Sequence, residues 1–178
     1  MKVNELNSNQ IVTLNDFPVH HEQCLKIYFR IFQKGHGVIV PPCPVINKSI
    51  GVPFIHHKGK KIKQYNQALT HFLETHPQVE YFLLDGSHRT TAATLCYKKI
   101  PVLIFESDID ITQAEKLVAR GELFSLTTGK TIKEIIKVLQ QHFLKTLKFE
   151  TVAEKTERMV KKRILPKYMI DMYSKSHH

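Results

Sequence analysis

The sequence predicts an α+β fold: a sheet of few strands covered on both faces by helices, followed by a basic helical extension. Three observations carry this. Residues 81–84, Tyr-Phe-Leu-Leu, form a continuous apolar run of strand length, as a strand buried on both faces requires. Residues 100–105 form a second such run, joined to the first by a helical stretch over 88–97. Beyond residue 111 the apolar residues recur at helical spacing, with no further strand pattern.

In chain order, residues 11–14 read as a short strand that the turn chemistry of Asn15-Asp16-Phe17-Pro18 ends. A helix is expected over 22–34, because Leu25, Tyr28, Phe29 and Phe32 share one helical face. Gly35 and Gly37 stop it. Residues 38–46 are extended, and their prolines suit an edge or a loop better than a central strand. A loop rich in Gly, His and Lys follows over 47–64, then a second amphipathic helix with Tyr65, Leu69, Phe72 and Leu73 on one face, stopped by Pro77. Asp85-Gly86 ends the first apolar strand, Ser87 is placed to cap the next helix, and the basic turn Lys98-Lys99 leads to the second strand. Helices are expected over 112–120, 131–147 and 152–162, and Pro166 begins or breaks a short last one.

With 178 residues the chain is long enough to bury a genuine core. Residues 1–127 are expected to form that core domain and 128–178 the extension, the boundary falling near Thr127-Thr128-Gly129. The formal charge is +10, and residues 130–178, with 12 Lys/Arg against 5 Asp/Glu, supply +7 of it. Such a balance permits nucleic-acid or nucleotide binding without requiring it. Cys24, Cys43 and Cys96 are widely spaced and include no CxxC pair. A cytoplasmic location with no membrane partner is expected, since no apolar run reaches spanning length and the first ten residues lack the apolar core of a secretory signal.

The segment Leu83-Leu84-Asp85-Gly86-Ser87-His88-Arg89-Thr90-Thr91 concentrates polar chemistry where a buried strand enters a helix. Such a junction aims backbone N–H groups outward, and with the helix macrodipole they make an anion site that Gly86 lets a phosphate approach. Arg89 adds a bidentate fork, Ser87 and Thr90 add hydroxyls, His88 a base or phosphate donor, and Asp85 a carboxylate able to hold a metal ion or orient a hydroxyl. The plainer reading of the same residues is that Ser87 caps a helix, Asp85 closes an Asx-turn and Arg89 is solvated. Ala92-Ala93 let the helix lie close against the sheet.

This turn resembles the signature of the ParB/sulfiredoxin-like superfamily, in which a strand ends in D-G-x-H-R and a helix with small residues and a second strand follow. Here those are Asp85-Gly86-Ser87-His88-Arg89, Ala92-Ala93 and Ile100-Pro101-Val102, with Phe17-Pro18-Val19-His20-His21-Glu22 as a lead-in. The resemblance covers residues 11–107 and implies a small mixed sheet flanked by helices. It departs from the sulfiredoxins, because Ser87 stands where they carry a catalytic cysteine, and from the partition proteins, whose arginine pair at the turn is here one arginine beside His88. Its pattern is nearest to the free-serine kinases, with Ser87 in place of a histidine. That resemblance implies Glu22 as general base, Asp85 and His88 as catalytic partners, and Gly86, Ser87, His88, Arg89 and Thr90 around the phosphates of ATP or ADP, with CTP the alternative and Mg2+ accompanying. The expected partners are then the nucleotide and a small hydroxyl-bearing substrate. The basic loop and helix over 47–78 are an insertion relative to the family.

Other features admit two readings each. Glu22 also suits a first helical turn for electrostatic reasons alone. The run His56-His57-Lys58-Gly59-Lys60-Lys61 is either a phosphate or nucleic-acid contact or a solvated loop. His20-His21 would need a third ligand to hold a metal. The basic tail, with Lys161-Lys162-Arg163, is either a DNA- or RNA-binding element or a packed cap with a basic outer face.

Overall fold

Strand and helix positions in the structure, a computed structural model, are described for residues 2–15, 21–123 and 130–175. The Thr127-Thr128-Gly129 boundary and the Phe17-Pro18-Val19-His20 part of the lead-in lie outside them. Five strands, β1 (Lys2–Leu6), β2 (Ile11–Val12), β3 (Cys43–Asn47), β4 (Tyr81–Leu83) and β5 (Ile100–Phe105), form one sheet in the order β1-β5-β3-β4-β2. β1 runs antiparallel to β5, β5 parallel to β3, β3 antiparallel to β4 and β4 parallel to β2, so the sheet is mixed. Seven α-helices are described: α1 (Glu22–Gln33), α2 (Lys60–Thr75), α3 (Ser87–Leu95), α4 (Asp108–Ala119), α5 (Ile132–Thr146), α6 (Val152–Lys161) and α7 (Lys167–Lys175).

The strand period of two divides the interior into two cores. Val45, Leu83, Val102 and Ile104 face one side, where α1, α3, α6 and α7 bring Phe29, Ala92, Met159 and Met169. Ile46, Phe82, Leu103 and Phe105 face the other, where α2, α4 and α5 bring Leu69, Ile111 and Phe143. The result is three layers, helices on both faces of the sheet, as the apolar runs at 81–84 and 100–105 require. The helices of the basic extension belong to these layers. Thr13 N–H donates to Glu150 O at 2.9 Å, Lys155 Nζ donates to Leu14 O at 2.7 Å, and Val12 bridges Thr151, joining α6 to the β2 edge.

Four elements differ from the sequence reading. β1 was not expected, because its residues Lys-Val-Asn-Glu-Leu are exposed up to Leu6 and carry no buried alternation. Residues 43–47, read as edge or loop, are the central strand. The β3–β4 ladder begins at Val45↔Leu83, and at Pro44 the carbonyl accepts from Leu84 N–H at 2.9 Å, so the proline sits at the end of the ladder and costs it only the return bond to Leu84. Ser87 is the first residue of α3, and Gly86, at φ +108°, is the cap. α4 begins at Asp108, because Ser107 and Asp110 form a capping box. No helix among the described residues is long and apolar enough to cross a membrane.

Candidate functional site at the turn between β4 and α3

The chain leaves β4 at Leu84, turns through Asp85 and Gly86 and enters α3, a helix buried along almost its whole length. Only Gly tolerates this turn. Its φ of +108° lies in the left-handed region, and a Cβ there would meet Cys43 Sγ at 2.6 Å and Arg89 Nη2 at 3.1 Å. The space over Gly86 is thus filled by the protein's own side chains, a different reason for the glycine than an approaching phosphate.

Arg89 is 4 % exposed and faces inward. Its Nη1 donates to Pro41 O at 2.8 Å and Pro42 O at 3.0 Å, and its Nη2 donates to Asp85 Oδ2 at 2.8 Å. The guanidinium therefore fastens the loop before β3 to the turn after β4, and the fork expected to hold phosphate is spent on that task. Asp85 is half-buried, with one carboxylate oxygen committed to Arg89. Thr90 is buried, and its hydroxyl donates back to Gly86 O and Ser87 O, both at 3.1 Å, which ties down the first turn of α3.

Ser87 is the first residue of α3, and the half-buried ring of His88 stands 6.1 Å, centroid to centroid, from the ring of His21 at the start of α1. Glu22 follows His21, and its carboxylate lies 2.5 Å from Lys26 Nζ, one turn along α1. Among the described residues no hydrogen bond joins Glu22 to the turn. The structure thus gathers Asp85, Gly86, Ser87, His88, Arg89 and Thr90 at one point and leaves Glu22 beside it, one residue from the ring that faces His88. Among the described residues no group of three or more His, Cys, Asp or Glu side chains could hold a metal ion.

No family model matches this chain, and no curated protein or solved structure does.

Two residues of the site escaped the sequence reading. Cys43, fully buried at the start of β3, points its thiol at Gly86 O at 3.9 Å. Burial pushes that thiol up to about 11, with Arg89 opposing and Asp85 adding, so it stays protonated at neutral pH and acts as a packing group. Tyr28, on α1, has its phenol raised by burial, with Arg89 opposing and Cys24, Cys43 and Asp85 adding. Its hydroxyl is within electrostatic reach of the Asp85–Arg89 pair. Its place on the inner face of α1, where an aromatic with a polar tip suits a half-wet site, was the available signal.

Proposed function

We propose that the chain binds the phosphates of ATP or ADP at the turn between β4 and α3 and directs a phosphoryl group to the hydroxyl of a small compound, in the manner of the ParB/sulfiredoxin-like serine kinases. The observation that carries this reading is the convergence of Ser87, His88 and, from α1, His21 at the start of a buried helix. Bound there with its magnesium ion, the nucleotide supplies the group to be transferred. Ser87 and His88 bind phosphate oxygens, in the first turn of α3 where the macrodipole favours negative charge. Arg89 is a positioning residue in this reading. It aims Asp85, whose second carboxylate oxygen orients the acceptor hydroxyl. Glu22 takes the proton of that hydroxyl, with Lys26 setting the direction of its carboxylate.

Isothermal titration with ATP, ADP and CTP plus magnesium tests the proposal. The wild type is expected to bind one of them, and His88→Ala to bind it about tenfold more weakly, the worth of one hydrogen bond to a charged group. Glu22→Gln should leave binding in place and abolish transfer to a panel of small hydroxyl compounds. Absence of heat with all three nucleotides overturns the reading.

A further inference from the structure

The run at residues 56–61 is not a protruding loop. It forms the wall of a concave site of about 850 Å3 over the first turns of α2, a site lined by His56, His57, Lys58, Lys60, Lys63 and His71 and by one acid, Glu74. A second cavity of about 690 Å3 shares Ile55 and His57 with it and continues to α5, where Lys133 and Lys137 line it. The two make one groove across the helical layer opposite α3.

This groove is built. Asn66 on α2 accepts from Ile55 N–H at 3.1 Å and donates to Ile55 O at 2.8 Å, Tyr65 Oη donates to Pro53 O at 2.7 Å, and Gln140 Nε2 on α5 donates to Phe54 O at 2.6 Å. Three side chains from two helices therefore hold the segment that presents His56, His57 and Lys58.

Its charge is predominantly basic: the acids that line the two cavities are Glu74 and Asp108, and Asp108 Oδ1 accepts from Ile132 N–H at 2.7 Å. Among the described residues none of Lys58, Lys60, Lys63, Lys133 and Lys137 forms an ion pair. The first turn of α2 holds no acidic residue, although a helix start favours acids and Lys60, Lys61 and Lys63 there work against the macrodipole. In the tail, by contrast, Arg158 and Lys148 are spent on Glu150, Lys161 on Glu157, and Lys155 on Leu14 O. Cations held in a pinned concavity against both repulsion and the helix dipole are explained by an anion that seats among them.

The groove's extent selects the anion. Five lysines are distributed over two adjoining cavities, more than one phosphate requires. The floor contributed by Ile55, Ile132 and Ile136 is apolar, and exposed imidazoles line the rim. Phosphates on the lysines, with unstacked bases laid against an apolar floor and imidazole rings, is the arrangement by which single strands are held. We propose that the groove between α2 and α5 binds single-stranded nucleic acid through its backbone, independently of the turn at Gly86.

Fluorescence anisotropy on the full chain, with a labelled single strand of about 20 nucleotides at salt from about 50 to 200 mM, tests this. The triple variant Lys58→Ala/Lys60→Ala/Lys63→Ala is expected to weaken binding at least about tenfold and to reduce the slope of log K against log salt by about 2. The variant Lys161→Ala/Lys162→Ala/Arg163→Ala is expected to bind as the wild type does. All six side chains lie on the surface, and circular dichroism with a thermal melt confirms that each variant is folded; a single Lys60→Glu serves where a triple variant is not. Three results overturn the proposal: no binding of the strand at the lowest salt, a loss of binding in the tail variant but not the groove variant, or a mononucleotide or a duplex that binds as tightly as the strand.

Discussion

At Gly86 backbone and packing impose the same choice. An alanine there takes on the left-handed φ of +108° and places its Cβ 2.6 Å from Cys43 Sγ. Gly86→Ala is expected to lose about 2–4 kcal/mol, the left-handed conformation and the overpacking each contributing. In urea melts, Gly86→Ala combined with Cys43→Ala should lose less than the sum of the two single changes, because removing the sulfur relieves the clash and leaves the φ strain. Strict additivity would show that the contact carries no energy. The Asp85–Arg89 pair makes a second prediction. Asp85→Asn keeps the shape and removes a carboxylate charge 2.8 Å from a guanidinium that is 4 % exposed, so a loss of about 3 kcal/mol is expected. A purely catalytic Asp85 would leave the melting midpoint unmoved. The sequence showed which residues meet at this turn and not which way Arg89 faces. Its partners Pro41 and Pro42 lie 48 and 47 residues earlier, and only the placement of β3 beside β4 brings them within reach.

Between elements, the contact of α2 with α6 is made by two titrating groups. His76, at the end of α2, has its Nε2 2.9 Å from Glu154 Oε1, and Glu154 also closes the capping box of α6 with Thr151. Burial works to lower the imidazole, but the bonds to Glu154 and the Phe72 carbonyl outweigh it, so His76 titrates above its ordinary 6.5. A raised folded-state value means that the stabilisation is fully present below 6.5 and is lost as pH rises through the folded value. Burial works to raise Glu154, but the Thr151 N–H and His76 outweigh it, so its contribution is present above 4.5 and is lost as pH falls through its lowered value. Stability attributable to the pair should therefore peak between 4.5 and 6.5. In thermal melts over that range and up to pH of about 8, His76→Gln should flatten the alkaline limb. Thr151→Ala should cost about 1 kcal/mol above the Glu154 titration and less below it, because the Thr151 hydroxyl also donates to the Glu154 carboxylate at 3.0 Å. Elements of this kind are legible where periodicity is strong: α1 and α5 each bury an apolar stripe that places them within a residue or two, whereas the stripe of α2 finds the helix but not its start at Lys60, inside the basic stretch 47–64 read as a loop. β3 is not, because the pairing that leaves Pro44 at the end of the β3–β4 ladder is a property of its neighbours, and β1 is not, because an exposed edge strand has no apolar pattern to read.

For the whole molecule, the division into a core domain and a basic extension meets the way the two cores are filled. α6, α7 and the segment between them supply Val152, Met159, Leu165 and Met169 to the core that also holds α3, each at most 5 % exposed. Full burial of such side chains stabilises by about 1.5–3 kcal/mol each, so four contribute about 6–12 kcal/mol. That is the size of the whole net stability of a domain this large, about 5–15 kcal/mol. A chain ending at residue 149 also strips β2 of its bridge to Thr151 and Thr13 of its bond to Glu150. The truncated chain is therefore expected to lose its cooperative urea transition and to expose the α3 face, read as a gain in binding of a hydrophobic dye. Retention of a sharp transition would show that α6 and α7 are a removable cap. The outcome also decides how the tail's charge is to be probed. If the helices are integral, deleting them removes the fold together with the charge, and only side-chain changes at Lys161, Lys162 and Arg163 separate the electrostatics of the tail from its packing.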